Sequence, residues 1–126
     1  MDAPRPRTHA QRIGDAGENA ALSFLQAHGL RPLARNVRFK GGELDLVMLE
    51  GEVLVFVEVR SRGRIDFGGA LDSVDARKAR KLVRAATLYL QRHPRHATRD
   101  TRFDVLAFEA DEAPRWVRGA FTLDDV

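Results

Sequence analysis

Two apolar runs joined by a short polar turn predict a β-hairpin near the middle of the chain. Residues 53–59 are rich in β-branched side chains and apolar at both alternating positions, which is typical of a central strand covered on both faces. Gly51, between two glutamates, suits the tight turn before it. Because strand side chains alternate, one face of this strand should carry Leu54, Phe56, Glu58 and Arg60, and the other Val53, Val55, Val57 and Val59.

Periodic segments on either side of the hairpin predict two helices and further strands. A capping box at Thr8 opens a helix that should end near His28, and Asp72 or Ser73 should cap a second helix that runs to about Arg92. Alternating segments predict strands over 33–39, 102–108 and 115–121. The basic, proline-containing residues 1–7 should form a disordered tail, and residues 8–126 a single domain with one core.

The order of these elements predicts an α/β fold. The first three strands should form an antiparallel meander, because only short turns connect them. The second helix then makes a right-handed crossover, which leaves the fourth strand parallel to the third. We therefore expect a mixed β-sheet flanked by two helices.

Asp45 and Glu58 are carboxylates inside otherwise apolar strands. They repel each other and are costly to bury unless a cation joins them. That cation is either Arg60, in a structural ion-pair network, or a hard divalent metal. These strands alone do not decide between the two, and whether the acids share a face depends on a register that the sequence leaves open. We interpret Asp104, in the fourth strand, as a structural residue.

The uneven distribution of charge favours a phosphate-bearing partner. The net charge is only +3, but residues 60–84 hold eight basic and three acidic side chains, a local charge of +5. A solvated helix face is the alternative, although basic residues at a helix N-terminus oppose the macrodipole. The absence of cysteine excludes disulfides and thiolate zinc sites. With no signal-like or membrane-spanning run, we expect a soluble cytoplasmic protein, and we interpret His93 and His96 as surface residues.

Several short segments, in a fixed order, together resemble a known family. They include Gly17-Glu18, Gly42-Glu43-Leu44-Asp45, Val57-Glu58-Val59-Arg60 and Arg102-Phe103-Asp104. In this order the chain resembles the YraN-like family of the PD-(D/E)xK superfamily, which has the restriction-endonuclease-like core of Holliday-junction resolvases. The resemblance implies Mg²⁺ or Mn²⁺ held by Asp45, Glu58 and the Val59 carbonyl.

The resemblance also implies a catalytic set of Glu18, Asp45, Glu58 and Arg60. One departure is that Arg60 stands where the superfamily has lysine, and arginine stays protonated and cannot act as a base. Two functions follow: a metal-dependent endonuclease for branched or structured DNA, and a non-catalytic nucleic-acid-binding or assembly module. The expected partner is duplex or junction DNA, and the sequence leaves a homodimer open. The residues expected to contact the DNA backbone are Arg62, Arg64, Arg77, Lys78 and Lys81.

Overall fold

A computed structural model describes residues 9–62, 75–109 and 113–121. In chain order, helix α1 (His9–Ala27) comes first. Strands β1 (Arg31–Phe39), β2 (Gly42–Glu50) and β3 (Val53–Arg62) follow it. Helix α2 (Ala76–Arg92) follows, then a short 3₁₀ turn (Pro94–His96) and strands β4 (Thr101–Glu109) and β5 (Arg115–Phe121). The predicted tail at residues 1–7 lies outside the described residues. Within those residues, neither helix is long and apolar enough to cross a membrane.

The five strands form one mixed sheet in the order β1-β2-β3-β4-β5. The β1–β2 and β2–β3 pairs are antiparallel, β3 and β4 are parallel, and β4 and β5 are antiparallel. The parallel pair is the one joined through α2, because a helical crossover returns the chain to the same end of the sheet. The predicted fold class is confirmed: a meander plus a parallel strand, flanked by two helices.

Each face of the sheet has its own apolar core. Leu54 and Phe56 pack with Leu82 and Tyr89 of α2, whereas Val55, in the next register position, packs in a second core with α1. The alternation predicted for β3 is therefore confirmed. Since Glu58 is two residues beyond Phe56, this alternation places it at the end of the face that α2 covers.

Helix α2 begins later than predicted. Its N-cap is Asp75, whose carboxylate accepts the backbone N–H of Lys78 at 2.9 Å. The expectation of a cap at Asp72 or Ser73 is wrong, and residues 72–74 themselves lie outside the described residues. Asp72, Ser73 and Asp75 are all of residue types that cap helices, so the sequence alone did not single out Asp75. Ala79 and Leu82 lie on the buried side of the helix.

The interpretation of His96 as a surface residue is wrong, because its side chain is only 3% exposed. The 3₁₀ turn after α2 folds the chain back, and the His96 ring lies parallel to that of Tyr89. Arg95 Nε and Arg99 Nε approach its two ring nitrogens at 3.2 and 2.9 Å. Burial, and then the charges of these two arginines, lower the pKa of His96. His93 stacks on Tyr89 and is half-buried.

Gly42, at the start of β2, lies close to the backbone of α2, and replacing it with alanine should be costly. An added Cβ would lie 2.7 Å from the Lys81 carbonyl oxygen and 3.2 Å from the Ala85 Cβ. We expect Gly42→Ala to lower the free energy of unfolding by roughly 1–3 kcal/mol in urea denaturation, because backbone must shift to make room. The control is Gly29→Ala, where nothing lies near but φ is +92°, and strain alone should cost about 1 kcal/mol. Unchanged stability of Gly42→Ala would contradict the close packing.

Candidate metal and nucleic-acid site

The register of β2 and β3 places Asp45 opposite Glu58. The pairing runs from Glu50–Val53 to Leu46–Val57, so the next two residues along the strands are these acids. Beyond that point the Asp45 Oδ2 atom accepts the backbone N–H of Val59 at 2.9 Å. A side chain thus satisfies a strand N–H where the two strands stop pairing. The register that the sequence left open therefore places the two acids opposite each other at one end of the sheet.

A local irregularity in β1 and β2 accompanies this placement of Asp45. Asn36 has φ of +53°, and it lies opposite Asp45 because its neighbours pair with Leu46 and Leu44. Asparagine is among the residues that adopt this left-handed conformation at low cost. Leu44 then packs on the α2 side of the sheet and Leu46 on the α1 side, so the usual alternation of a strand is interrupted at this step.

Three acidic side chains converge around Asp45. One carboxylate oxygen from each of Glu18, Glu43 and Asp45 lies within 4.8 Å of the others. Glu18 projects from α1 and also approaches Arg35 Nη2 at 3.6 Å. Sequence reasoning missed Glu43, although its spacing of two residues from Asp45 was a usable signal. Clustered carboxylate oxygens are the ligands that hard divalent cations prefer.

The Glu58 carboxylate is buried, and its two oxygens have different surroundings. Its side chain is 4% exposed, and Oε1 lies 3.3 Å from Arg60 Nη1 and 3.5 Å from Lys78 Nζ. Its Oε2 atom is also buried, and no group among the described residues donates a hydrogen bond to it. An unsatisfied buried oxygen is costly, and a cation that binds it removes the cost. This orphaned oxygen next to Asp45 fits a divalent metal.

Burial raises the pKa of Asp45 to about 8, and repulsion from the neighbouring Glu58 adds to the shift. The Val59 N–H opposes it, and Glu18 contributes a smaller increase. The higher pKa favours the protonated form of Asp45 when no cation neutralises the cluster, and a hydrogen bond between the Asp45 and Glu58 side chains also contributes to the shift. A metal that binds here would displace that proton.

Asp104 contrasts with Asp45, because its buried carboxylate is fully partnered. It accepts from Arg102 Nε and Nη2 at 2.8 and 2.9 Å, from Trp116 Nε1 at 2.9 Å and from the Gly119 N–H at 3.0 Å. Arg102 also donates to Glu50. These contacts support the structural interpretation of Asp104, and its oxygens already have the donors that a buried carboxylate requires.

The basic residues separate into two groups. Arg77 and Lys81 are exposed on α2, whereas Lys78 is half-buried and reaches Glu58. The side chain of Arg62, and the whole of Arg64, lie outside the described residues. A cleft of about 360 Å³ opens between the β1–β2 turn and α2, lined by Arg38, Phe39, Gly41, Gly42, Glu43, Lys78 and Lys81. It joins the acidic cluster, through Glu43, to the basic face of α2.

Comparison with known proteins identifies the family. The family model described as uncharacterised protein family UPF0102 matches residues 17–108. The chain belongs to the UPF0102 family. A UPF0102 protein of Pseudomonas putida (strain GB-1) is 50% identical over 120 residues, covering 92% of this chain and 98% of that protein. Another, from Bordetella avium (strain 197N), is 56% identical over 118 residues, covering 94% and 78% respectively.

The UPF0102 match includes all the acids at the candidate site and ends before β5. Among solved structures, the 1.6 Å structure of Archaeoglobus fulgidus Hjc, a Holliday junction resolvase from an archaeal hyperthermophile, aligns with a TM-score of 0.47. The alignment covers 82% of this chain and 75% of that one, with 16% sequence identity.

Proposed function

We propose that this UPF0102 protein is a metal-dependent endonuclease that hydrolyses phosphodiester bonds in branched or structured DNA. One observation carries the proposal: Glu58 Oε2 is buried without a hydrogen-bond donor among the described residues, and its carboxylate interacts with that of Asp45 at the edge of a basic surface. A buried carboxylate oxygen without a donor is destabilising, so this arrangement is best explained by a cation that neutralises the two acids.

In this proposal Asp45, Glu58 and the Val59 carbonyl hold Mg²⁺ or Mn²⁺, with Glu18 and Glu43 next to them. When bound, the metal supplies Lewis-acid polarisation of the phosphate and lowers the pKa of the attacking water. Glu18 accepts the proton of that water, since Arg60 stays charged and cannot act as a base. The water oxygen bonds to phosphorus as the bond to the leaving sugar oxygen breaks, and that oxygen takes a proton from solvent, giving a phosphate monoester and a hydroxyl.

The expected DNA contacts are electrostatic and directed to the backbone. The sequence has one Tyr and one Trp, and both are engaged: Tyr89 is buried in the core, and the Trp116 indole donates to Asp104. Neither offers a free platform for stacking a base. We therefore propose that the protein contacts the phosphates of a duplex or junction. The residues proposed to make these contacts are Arg62, Arg64, Arg77, Lys78 and Lys81.

DNA affinity should fall steeply with salt. If the basic residues neutralise about four to five phosphates, the affinity for a four-way junction should drop well over tenfold between 50 and 200 mM NaCl. Fluorescence anisotropy in EDTA measures this without cleavage. Lys81→Ala should reduce the log–log salt slope by about 1, because one phosphate contact is lost. Salt-independent binding, or none to any duplex or junction, would favour a protein-interaction role.

Metal affinity should depend on pH through Asp45. The pKa of this carboxyl is raised to about 8 in the folded protein, so below that pH a metal must displace a proton. Calorimetry with Mn²⁺ should show affinity that rises up to about tenfold per pH unit between pH 6 and 8 and then levels off. Asp45→Asn should remove both the pH dependence and most of the affinity. A binding constant that is flat over this range would contradict Asp45 as a ligand.

A second function is favoured by a different contact. Arg60 and Lys78 both lie within 3.5 Å of Glu58 Oε1, as in a structural ion-pair network. If calorimetry detects no metal binding that Asp45→Asn removes, and the protein cleaves no supercoiled, linear or four-way-junction DNA, the non-catalytic binding or assembly module is the better description.

A further inference from the structure

We infer that Lys78, on helix α2, provides the active-site lysine that strand β3 lacks. This inference rests on the proposed nuclease function. The chain has Arg60 two residues after Glu58, where the resembled superfamily has lysine. Lys78 comes from a different element, yet its Nζ lies 3.5 Å from Glu58 Oε1. A lysine ammonium therefore reaches the buried acid from the side of the sheet that α2 covers.

The start of α2 positions this lysine. Asp75 caps the helix by accepting the Lys78 N–H at 2.9 Å, which fixes the Lys78 backbone in the first turn. A cation in the first turn works against the helix macrodipole, so helix stability does not explain its placement. That turn contains no acidic residue, and Arg77 precedes Lys78. The Lys78 position is thus better explained by what its ammonium contacts.

Lys78 also faces the place where a phosphate would enter. Its side chain is 36% exposed and lines the cleft between the β1–β2 turn and α2, together with Glu43 and Lys81. A flexible stem and three donors let an ammonium contact Glu58 and a phosphate oxygen together. In the bound complex Lys78 contacts a non-bridging phosphate oxygen, and its charge stabilises the negative charge that grows there as water attacks. Lys78 forms no covalent bond and takes no part in proton transfer.

Arg60 has a different role from Lys78. Its guanidinium lies 3.3 Å from the same Glu58 oxygen, and its planar donors are suited to holding that carboxylate in place. Arg60 is therefore a positioning residue, whereas Lys78 touches the substrate. Removing Lys78 should lower the rate of the chemical step more than it lowers DNA affinity.

The test compares Lys78→Ala and Lys78→Arg with Arg80→Ala, which removes the same charge from an exposed position two residues along α2. Single-turnover cleavage of a four-way junction is measured at saturating protein with Mn²⁺, and DNA affinity is measured in EDTA. We expect Lys78→Ala to slow cleavage about a hundredfold or more and Lys78→Arg to recover part of the rate. DNA affinity should fall less than about fivefold, as for Arg80→Ala, whose single-turnover rate should stay close to that of the wild type.

Two further readouts separate catalysis from structure. Lys78→Ala should keep its melting temperature within about 2 °C, because alanine favours the helix. It should bind Mn²⁺ equally or more tightly, since a competing cation beside Glu58 is gone. Weaker Mn²⁺ binding with a matching loss of stability would assign Lys78 a structural role instead.

Different results would contradict the role of Lys78 and the proposed nuclease function. If the wild type cleaves and Lys78→Ala loses no more rate than Arg80→Ala, Lys78 is only a binding residue and the nuclease assignment stands. If Arg60→Ala is the slower variant, Arg60 is the cation that touches phosphate. If the wild type cleaves nothing and Asp45→Asn changes no metal binding, the proposed function fails, and this inference fails with it.

Discussion

Replacing Asp45 with alanine should abolish Mg²⁺- or Mn²⁺-dependent DNA cleavage, a loss of at least about a thousandfold. The carboxylate is the common neighbour of Glu18, Glu43, Glu58 and the Val59 N–H, so its removal opens the acidic cluster at its centre. DNA affinity in EDTA should stay unchanged or rise slightly, because a negative charge near phosphate has been removed. Cleavage assays on junction DNA, with anisotropy in EDTA, measure the two effects separately.

Glu58→Ala should reproduce this separation of binding from cleavage. Arg60 offers a graded control: Arg60→Lys keeps a cation beside Glu58 and should retain some cleavage, with an altered pH profile because lysine titrates. Arg60→Ala should be worse. Parallel losses of cleavage and of DNA affinity in the Asp45 variant would show that this residue acts on binding or folding instead of chemistry.

Stability should respond in opposite directions to the loss of charge at Asp104, which is buried, and at Asp45, which is partly buried. Asp104→Ala should lower the free energy of unfolding by about 3–5 kcal/mol, because it removes the acceptor of an indole N–H and two hydrogen bonds of a half-buried arginine. The lost contacts are those to Arg102, Trp116 and the Gly119 backbone. Urea denaturation at pH 7 in EDTA measures the change. A loss below about 1 kcal/mol would contradict the structural role of Asp104.

Asp45→Asn should instead stabilise the metal-free protein at neutral pH, by roughly 1–2 kcal/mol. The folded-state pKa of Asp45 is raised from 3.8 to about 8, so the folded form binds the extra proton and stability falls as the pH rises between these values. The asparagine variant lacks this ionisation and can still accept the Val59 N–H. Its stability should therefore exceed that of the wild type most clearly near pH 8. A destabilised Asp45→Asn variant would argue against the raised pKa.

Much of the fold follows from local sequence patterns. The alternation in β3, the Gly51 turn and the apolar faces of both helices predicted the elements, and the short connections predicted their order in the sheet. The strands at 102–108 and 115–121 agree with β4 and β5 to within a residue. These features depend on residues close to one another in the chain, and they also indicated Asp45 and Glu58 as unusual acids.

What the sequence alone left undetermined depends on contacts between distant segments. The pairing of Asp45 with Glu58 required the β2–β3 register, which changes by one residue without altering either strand's composition. The approach of Lys78 to Glu58 depends on how far α2 reaches over the sheet, and the burial of His96 depends on a turn folding back against Tyr89. Sequence thus determined which elements form and which acids stand out. Tertiary packing decided which of those side chains meet, because register and helix docking are set by the whole core.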